Sequence, residues 1–239
     1  VAEINGWMNI PEPFANASFA AGGWDSITLD AQHGLFDERA LLATLMALSG
    51  KTPKRLVRVT WNEPGLVGKA LDFGADGVIV PMINSVEDAR RLADAARYAP
   101  KGTRSFGPGP AALRAPGVAY YDLADRIEVW AMIETVQALE AVADIAAVAG
   151  IDGLFIGPND LALTMGLPSG SNREEPQILA AFQAILAAGH GAGKKCGVFC
   201  TSGAYAARMV KMGFDMVTAG VDTTLLTDVA AARVAEARG

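Results

Sequence analysis

Few side chains in this chain favour transition metals: it has two cysteines, Cys196 and Cys200, and two histidines, His33 and His190. Four positions apart on an extended strand, the cysteines would hold their Cα atoms about 13 Å apart, beyond disulfide reach. This scarcity argues against a zinc site, and unpaired thiols fit a reducing cytoplasm. No apolar run approaches the roughly 18 residues of a membrane span, so no membrane partner is expected. The first residues carry neither a basic region with an apolar core nor an Arg-rich transit pattern. Twenty Lys and Arg stand against 26 Asp and Glu, a net charge of −6 without a basic cluster, which argues against nucleic acid.

What the chain does have is a regular alternation. Apolar runs of strand length occur at 6–10, 26–30, 56–60, 77–81, 128–133, 153–157, 197–200 and 216–220. Helical spacing follows each, at 12–21, 37–48, 64–73, 86–98, 136–148, 176–189, 204–212 and 224–237. Eight strand–helix units fit an α/β fold, either a closed (β/α)8 barrel or a doubly wound open sheet. A repeat separates the two. Gly-x-Asp precedes every second strand, at Gly23–Asp25, Gly74–Asp76, Gly150–Asp152 and Gly213–Asp215. Each Gly falls where a helix needs a left-handed cap, and each Asp where a tight turn feeds the strand. Four like units suit a ring, so the expectation is one (β/α)8 TIM barrel spanning residues 1–239. Its four aspartates are expected at the N-terminal face as stability devices.

In such a barrel the chemistry belongs at the C-terminal strand ends. Two successive strands end in carboxylates: Val129–Ile133 runs into Glu134, and the next into Gly157-Pro158-Asn159-Asp160. A right-handed crossover puts both at one mouth. They are either helix caps or the hard oxygen ligands of a divalent cation. The same mouth collects His33 and Arg58, and Arg58 either enters the barrel or forms an ion pair with Asp30 or Glu134.

A cation held by two carboxylates can chelate a 2-oxo acid and stabilise the enolate left when a bond at C3 breaks. Arg58 would add charge stabilisation, and His33 would move the hydroxyl proton. Backbone amides around 158–161 would hold the substrate carboxylate. These parts suit reversible cleavage of a 4-hydroxy-2-oxo acid into pyruvate, or hydroxypyruvate, and an aldehyde. A Schiff-base route is disfavoured, because Lys51, Lys54, Lys69, Lys101, Lys194, Lys195 and Lys211 all fall away from C-terminal strand ends.

Several motifs, taken together and in order, cover nearly the whole chain: LDAQHG at 29–34, RVTWNEPG at 58–65, GVIVPMI at 77–83, MIET at 132–135, LFIGPNDL at 154–161 and GVDTTLL at 220–226. They resemble the HpcH/HpaI family of class II, metal-dependent pyruvate aldolases. The resemblance implies Glu134 and Asp160 as ligands of magnesium, manganese or cobalt, His33 as acid/base, and Arg58 as the enolate-stabilising group. It also implies substrate contacts from Gly157, Pro158, Asn159 and Asp160, and a homo-hexamer (a trimer of dimers) with exchanged C-terminal helices. Asp72 matches an aspartate that forms a dyad with the catalytic histidine. It ends a helix on the far face, so it either reaches His33 across a subunit interface or is a surface aspartate.

The chain departs from the family pattern at Gln32, where Glu is common, and at Met132, where Gln is common. A thioether is a weak acceptor and cannot donate, which loosens the donor side of the pocket. The long segment 101–121 is expected as a mouth loop, with Arg104 and Ser105 either contacting the aldehyde or forming a structural salt bridge. Segment 165–175 is expected as a lid. Two other readings remain: a CoA-thioester lyase of the same fold, which would need a basic groove, and a barrel that binds metal or oxo acid without turnover.

Overall fold

The computed structural model describes residues 1–48, 53–114 and 119–239, and Lys51 lies outside them. Eight parallel strands close on themselves in sequence order: β1 (Glu3–Met8), β2 (Ser26–Asp30), β3 (Lys54–Arg58), β4 (Gly77–Val80), β5 (Glu128–Ile133), β6 (Gly153–Ile156), β7 (Lys195–Val198) and β8 (Met216–Val221). The helices between them are α1 (Pro13–Ala20), α2 (Glu38–Ala47), α3 (Pro64–Asp72), α4 (Val86–Ala96), α5 (Gly109–Leu113), α6 (Tyr120–Ala124), α7 (Val136–Glu140), α8 (Val142–Ala146), α9 (Pro158–Thr164), α10 (Pro176–Gly191) and α11 (Gly203–Met212). The last, α12 (Asp222–Arg238), follows β8. The fold is the expected (β/α)8 barrel. The single helix expected over 136–148 is divided at Ala141 (φ −94°, ψ 4°).

Strand parity builds two cores. In β2, Ile27 and Leu29 face the helices, while Ser26, Thr28 and Asp30 face the axis. The axial core is aromatic-rich, with Trp7, Trp130 and Phe155 beside Leu56, Ile79 and Met132.

Charge sets where three odd strands begin. β1, β3 and β7 start at Glu3, Lys54 and Lys195, two or three residues before their apolar runs. Lys54 Nζ lies 2.7 Å from both Glu3 and Glu128, and Lys195 Nζ lies 2.7 Å from Glu128. One residue from each odd strand thus makes an alternating-charge layer at the barrel floor. Apolar patterning cannot see strand residues whose partners are other charges.

The four Gly-x-Asp turns behave alike. Gly23, Gly74, Gly150 and Gly213 take φ of 90°, 104°, 91° and 116°, which a side chain would oppose. Each aspartate then accepts the backbone N–H of the preceding odd strand: Asp25 from Ile4 at 2.9 Å, Asp76 from Arg55 at 2.9 Å, Asp152 from Val129 at 2.9 Å and Asp215 from Cys196 at 2.8 Å. Asp152 also receives the buried Arg97 guanidinium at 2.6 Å. Asp152→Ala leaves that charge and the Val129 N–H unpaired, so urea unfolding is expected to show a loss of about 2–3 kcal/mol. A loss below about 0.5 kcal/mol would remove the turn from the stability account.

One helix stands outside the barrel wall. Every residue of α12 after Asp222 is exposed, including Leu225, Leu226, Val229 and Val234. No helix of the described residues is long and apolar enough to cross a membrane.

Candidate active site

Arg58 reaches the C-terminal mouth because Lys54, Leu56 and Arg58 share the axial face of β3. Its Nε and Nη2 both donate to the Asp30 carboxylate, Nε at 2.9 Å, and its guanidinium lies 4.9 Å from the Trp7 ring centroid. Both alternatives for Arg58 are therefore realised: it enters the barrel and it pairs with Asp30. Asp30 is 1% exposed and accepts three further hydrogen bonds, from Trp7 Nε1 at 3.2 Å and from the N–H groups of Gln32 at 3.0 Å and His33 at 3.2 Å. Burial works to raise its pKa, but the bonds and charge of Arg58, with the His33 N–H and Trp7, outweigh it and hold the carboxyl below its ordinary value. The Asp30 carboxylate fixes both the guanidinium and the turn that carries His33. That turn needs Gly34, where a Cβ would stand 2.3 Å from the Asp30 carbonyl oxygen. His33 itself is exposed at the rim.

Glu134 stands across the mouth from this pair, just past β5 and 2% exposed. Its Oε1 accepts the Met82 N–H at 2.7 Å. Met82 adopts φ 56°, a conformation that costs a side-chain-bearing residue on the order of 1 kcal/mol or more. Burial pushes Glu134 up to about 7, the Met82 N–H and Arg58 act against the rise, and the Asp160 charge adds to it. Asp160 lies in the first turn of α9, which Pro158 opens. Between the two carboxylates Gly157 is obligatory: a Cβ there would stand 2.4 Å from Glu134 Oε2 and 3.1 Å from Met132 Cε.

These groups meet in one cavity of about 200 Å³. Asp30, His33 and Arg58 line one side; Glu134, Gly157, Pro158, Asn159 and Asp160 line the other; Trp7, Asn9, Met132, Phe155 and Phe199 form the walls. The donor set suits a hard divalent cation. Two carboxylates converge, one is raised in pKa partly by the other's charge, and the backbone N–H on Oε1 leaves Oε2 for an ion. Among the described residues, no lysine lines the cavity.

Other expected site residues lie elsewhere. Asp72 Oδ1 receives Arg104 Nη2 at 2.6 Å, and neither Asp72, Arg104 nor Ser105 lines the cavity of its own chain. The segment expected as a lid is tied down. Asn159 Oδ1 accepts the Gly170 N–H at 3.1 Å, Arg173 donates to the Pro168 carbonyl at 2.6 Å, and Asn172 Oδ1 accepts the Thr201 N–H at 3.0 Å. Sequence reasoning missed Trp7, Asn9, Phe155 and Phe199. Their signal was parity, since the axial face of β1 continues from Asn5 through Trp7 to Asn9. Asp222 holds that last turn by accepting the N–H groups of Asn9 and Ile10, each at 2.9 Å.

Residues 6–229 match the HpcH/HpaI aldolase/citrate lyase family. The chain belongs to that family. It is 37% identical, over 98% of its length and 94% of the other's, to a hydroxypyruvate/pyruvate aldolase from Rhizorhabdus wittichii. It is 34% identical to a 4-hydroxy-2-oxo-heptane-1,7-dioate aldolase from Salmonella typhimurium, covering 94% of this chain and 86% of that one. The fold matches the crystal structure of an HpcH/HpaI aldolase/citrate lyase family protein from Burkholderia cenocepacia with a TM-score of 0.92 and 28% identity, covering 100% of this chain and 95% of the other. Aldolases and citrate lyases both break carbon–carbon bonds, and this family member is a carbon–carbon lyase.

Proposed function

We propose that the chain is a class II aldolase that reversibly cleaves 4-hydroxy-2-oxo acids to pyruvate, or hydroxypyruvate, and an aldehyde. The observation that carries this reading is the convergence of Glu134, Asp160, Arg58, Asp30 and His33 on one cavity at the barrel mouth. Magnesium, manganese or cobalt would be held by Glu134 and Asp160 and, when bound, would polarise the carbonyl of the oxo acid. The residues of the chain do the rest. Arg58, fixed by Asp30, places positive charge where the donor's carbonyl oxygen gains electron density. The first-turn N–H groups of α9 have no carbonyl partner within the helix and bind the substrate carboxylate beside Gly157, Pro158, Asn159 and Asp160. His33 takes the proton from the C4 hydroxyl as the C3–C4 bond breaks, directly or through water; a proton delivered to C3 then converts the enolate to pyruvate, or hydroxypyruvate, and the same steps run backwards in the synthetic direction. Trp7, Phe155 and Phe199 limit water around the reacting carbons.

The assembly belongs to the same proposal. We infer a homo-hexamer, a trimer of dimers, in which α12 is exchanged between subunits. An apolar groove of about 550 Å³ runs between α1 and α12, lined by Ile10, Phe19, Leu225, Leu226 and Val229. In that hexamer a neighbour's Asp72 Oδ2 serves as the acidic partner of His33, because Arg104 occupies Oδ1. The whole chain acts as one domain, and its two free cysteines suit the cytoplasm.

The test is an assay of metal-stripped protein with pyruvate or hydroxypyruvate and a panel of aldehydes. Turnover is expected only after a divalent ion is restored, rising by about 100-fold or more. Activity unchanged by chelation, a preference for acyl-CoA, or ion binding without any consumption of oxo acid would each overturn the proposal. Arg58 is the one cationic side chain lining the cavity among the described residues, a poor groove for the phosphates of CoA.

A further inference from the structure

We propose that the chain carries a second metal site, for a soft divalent ion of the zinc class, at the N-terminal face of the barrel, formed by His190, Cys196 and Asp215. The three come from different elements: the last turn of α10, β7, and the turn before β8. A ring nitrogen, the Cys196 Sγ and a carboxylate oxygen all lie within 4.8 Å of one another. His190 Nε2 is already 2.9 Å from Asp215 Oδ2. His190 therefore sits within α10 against Asp215.

Two of the three sister turns hold a cation on their aspartate; among the described residues Asp25 pairs with none. Asp76 and Asp152 each face a permanent cation, Arg55 at 2.8 Å and Arg97 at 2.6 Å. In the Asp215 quarter the corresponding place holds an imidazole and a thiol. Both offer lone pairs to an ion, and a divalent ion would supply the positive charge that arginine supplies at Asp76 and Asp152. Asp215 Oδ2 also accepts the Cys196 N–H at 2.8 Å, which leaves Oδ1 for the ion.

Close approach of α10 makes the geometry possible. A Cβ on Gly189 would stand 2.3 Å from Cys196 Sγ, so only glycine lets the helix end, and His190 with it, come down over the sulfur. Among the described residues the sulfur's hydrogen-bond acceptor is the Ile185 carbonyl, at a long 3.8 Å. A metal that binds the sulfur takes the place of its proton, which is released to solvent. One sulfur, one nitrogen and one oxygen with a fourth position for water is a tetrahedral zinc set, unlike the all-oxygen pair at the opposite mouth. The scarcity of Cys and His made a zinc site look excluded; folding brings one of each together with an aspartate.

Cobalt alone is the probe, because a cobalt–thiolate bond has its own charge-transfer absorption and the chain has only two cysteines. With the mouth filled by saturating magnesium, titration of the full-length protein with cobalt should develop that band at one ion per chain, with Cys200→Ser unchanged and Cys196→Ser without it. His190→Ala removes an exposed side chain, so it should fold, and it should weaken cobalt affinity about tenfold or more. Zinc should displace the cobalt and bleach the band. A wild-type protein without the band, a band that persists in Cys196→Ser, or unchanged affinity in His190→Ala would overturn the proposal. The readout does not depend on aldolase activity, so it fails or succeeds separately from the catalytic reading.

Discussion

Glu134→Gln is expected to abolish ion-dependent turnover, lowering kcat/KM by about 1,000-fold or more, while leaving the fold intact. The amide oxygen can still accept the Met82 N–H that Glu134 Oε1 receives at 2.7 Å, so the change isolates charge from shape. Losing one of two anionic ligands costs several kcal/mol of carbonyl polarisation, and each 1.4 kcal/mol is a factor of about ten. A second signature comes from stability. In the ion-free protein burial raises the Glu134 carboxyl from 4.5 to about 7, so the folded state favours the protonated form. Ionising it as pH rises from about 4.5 to 7 destabilises the fold relative to the unfolded chain, where the group ionises freely. Ion-free wild type should therefore lose stability across that window relative to Glu134→Gln, and saturating manganese should restore it. Parallel pH–stability curves for the two ion-free proteins would contradict the electrostatic reading of this carboxylate.

Arg58→Lys is expected to lower kcat by about 100- to 1,000-fold with ion affinity changed by no more than a few fold. Lysine keeps the positive charge, so Asp30, 1% exposed, is not left as an unpaired buried anion. What it loses is the planar fork that lays Nε and Nη2 on the two Asp30 oxygens and the guanidinium over Trp7. Arg58→Ala would confuse the result, because stranding Asp30 costs about 3–5 kcal/mol of stability on its own. Isothermal titration with manganese, run beside steady-state kinetics, separates the two effects. A lysine variant with normal kcat would show that orientation of this charge is irrelevant; one that loses the ion would place Arg58 in the metal site instead.

The fold was legible because it repeats. Gly23, Gly74, Gly150 and Gly213 each mark a helix end that needs positive φ, and the aspartate two residues on closes the turn onto the preceding odd strand. The mouth was legible for a related reason: parallel strands put their ends on one side, so Glu134 and Asp160 had to be neighbours. Less visible were features that depend on closure across the ring. The charged starts of β1, β3 and β7 read as loop until Lys54 is seen between Glu3 and Glu128. Likewise the left-handed Met82, whose N–H serves Glu134, carries no sequence mark, since methionine rarely takes φ 56°. Asp30 was read only as one of two possible partners for Arg58; its five hydrogen bonds exist because β1, β2 and β3 bring Trp7 and Arg58 to either side of it.

The two departures from the family pattern now have places. Met132 packs with Phe155 in the cavity wall, where its methyl lies against Gly157 and offers the oxo acid no donor. Gln32 donates its N–H to Asp30 Oδ1 in the turn that carries His33. The first leaves that stretch of the cavity wall apolar.

Crystals grown with manganese and a 2-oxo acid test the central claim most directly. Anomalous scattering should show a single strong peak at the barrel mouth, about 2 Å from oxygens of both Glu134 and Asp160. A mouth without that peak, or a manganese ion held there without either carboxylate, would contradict the account.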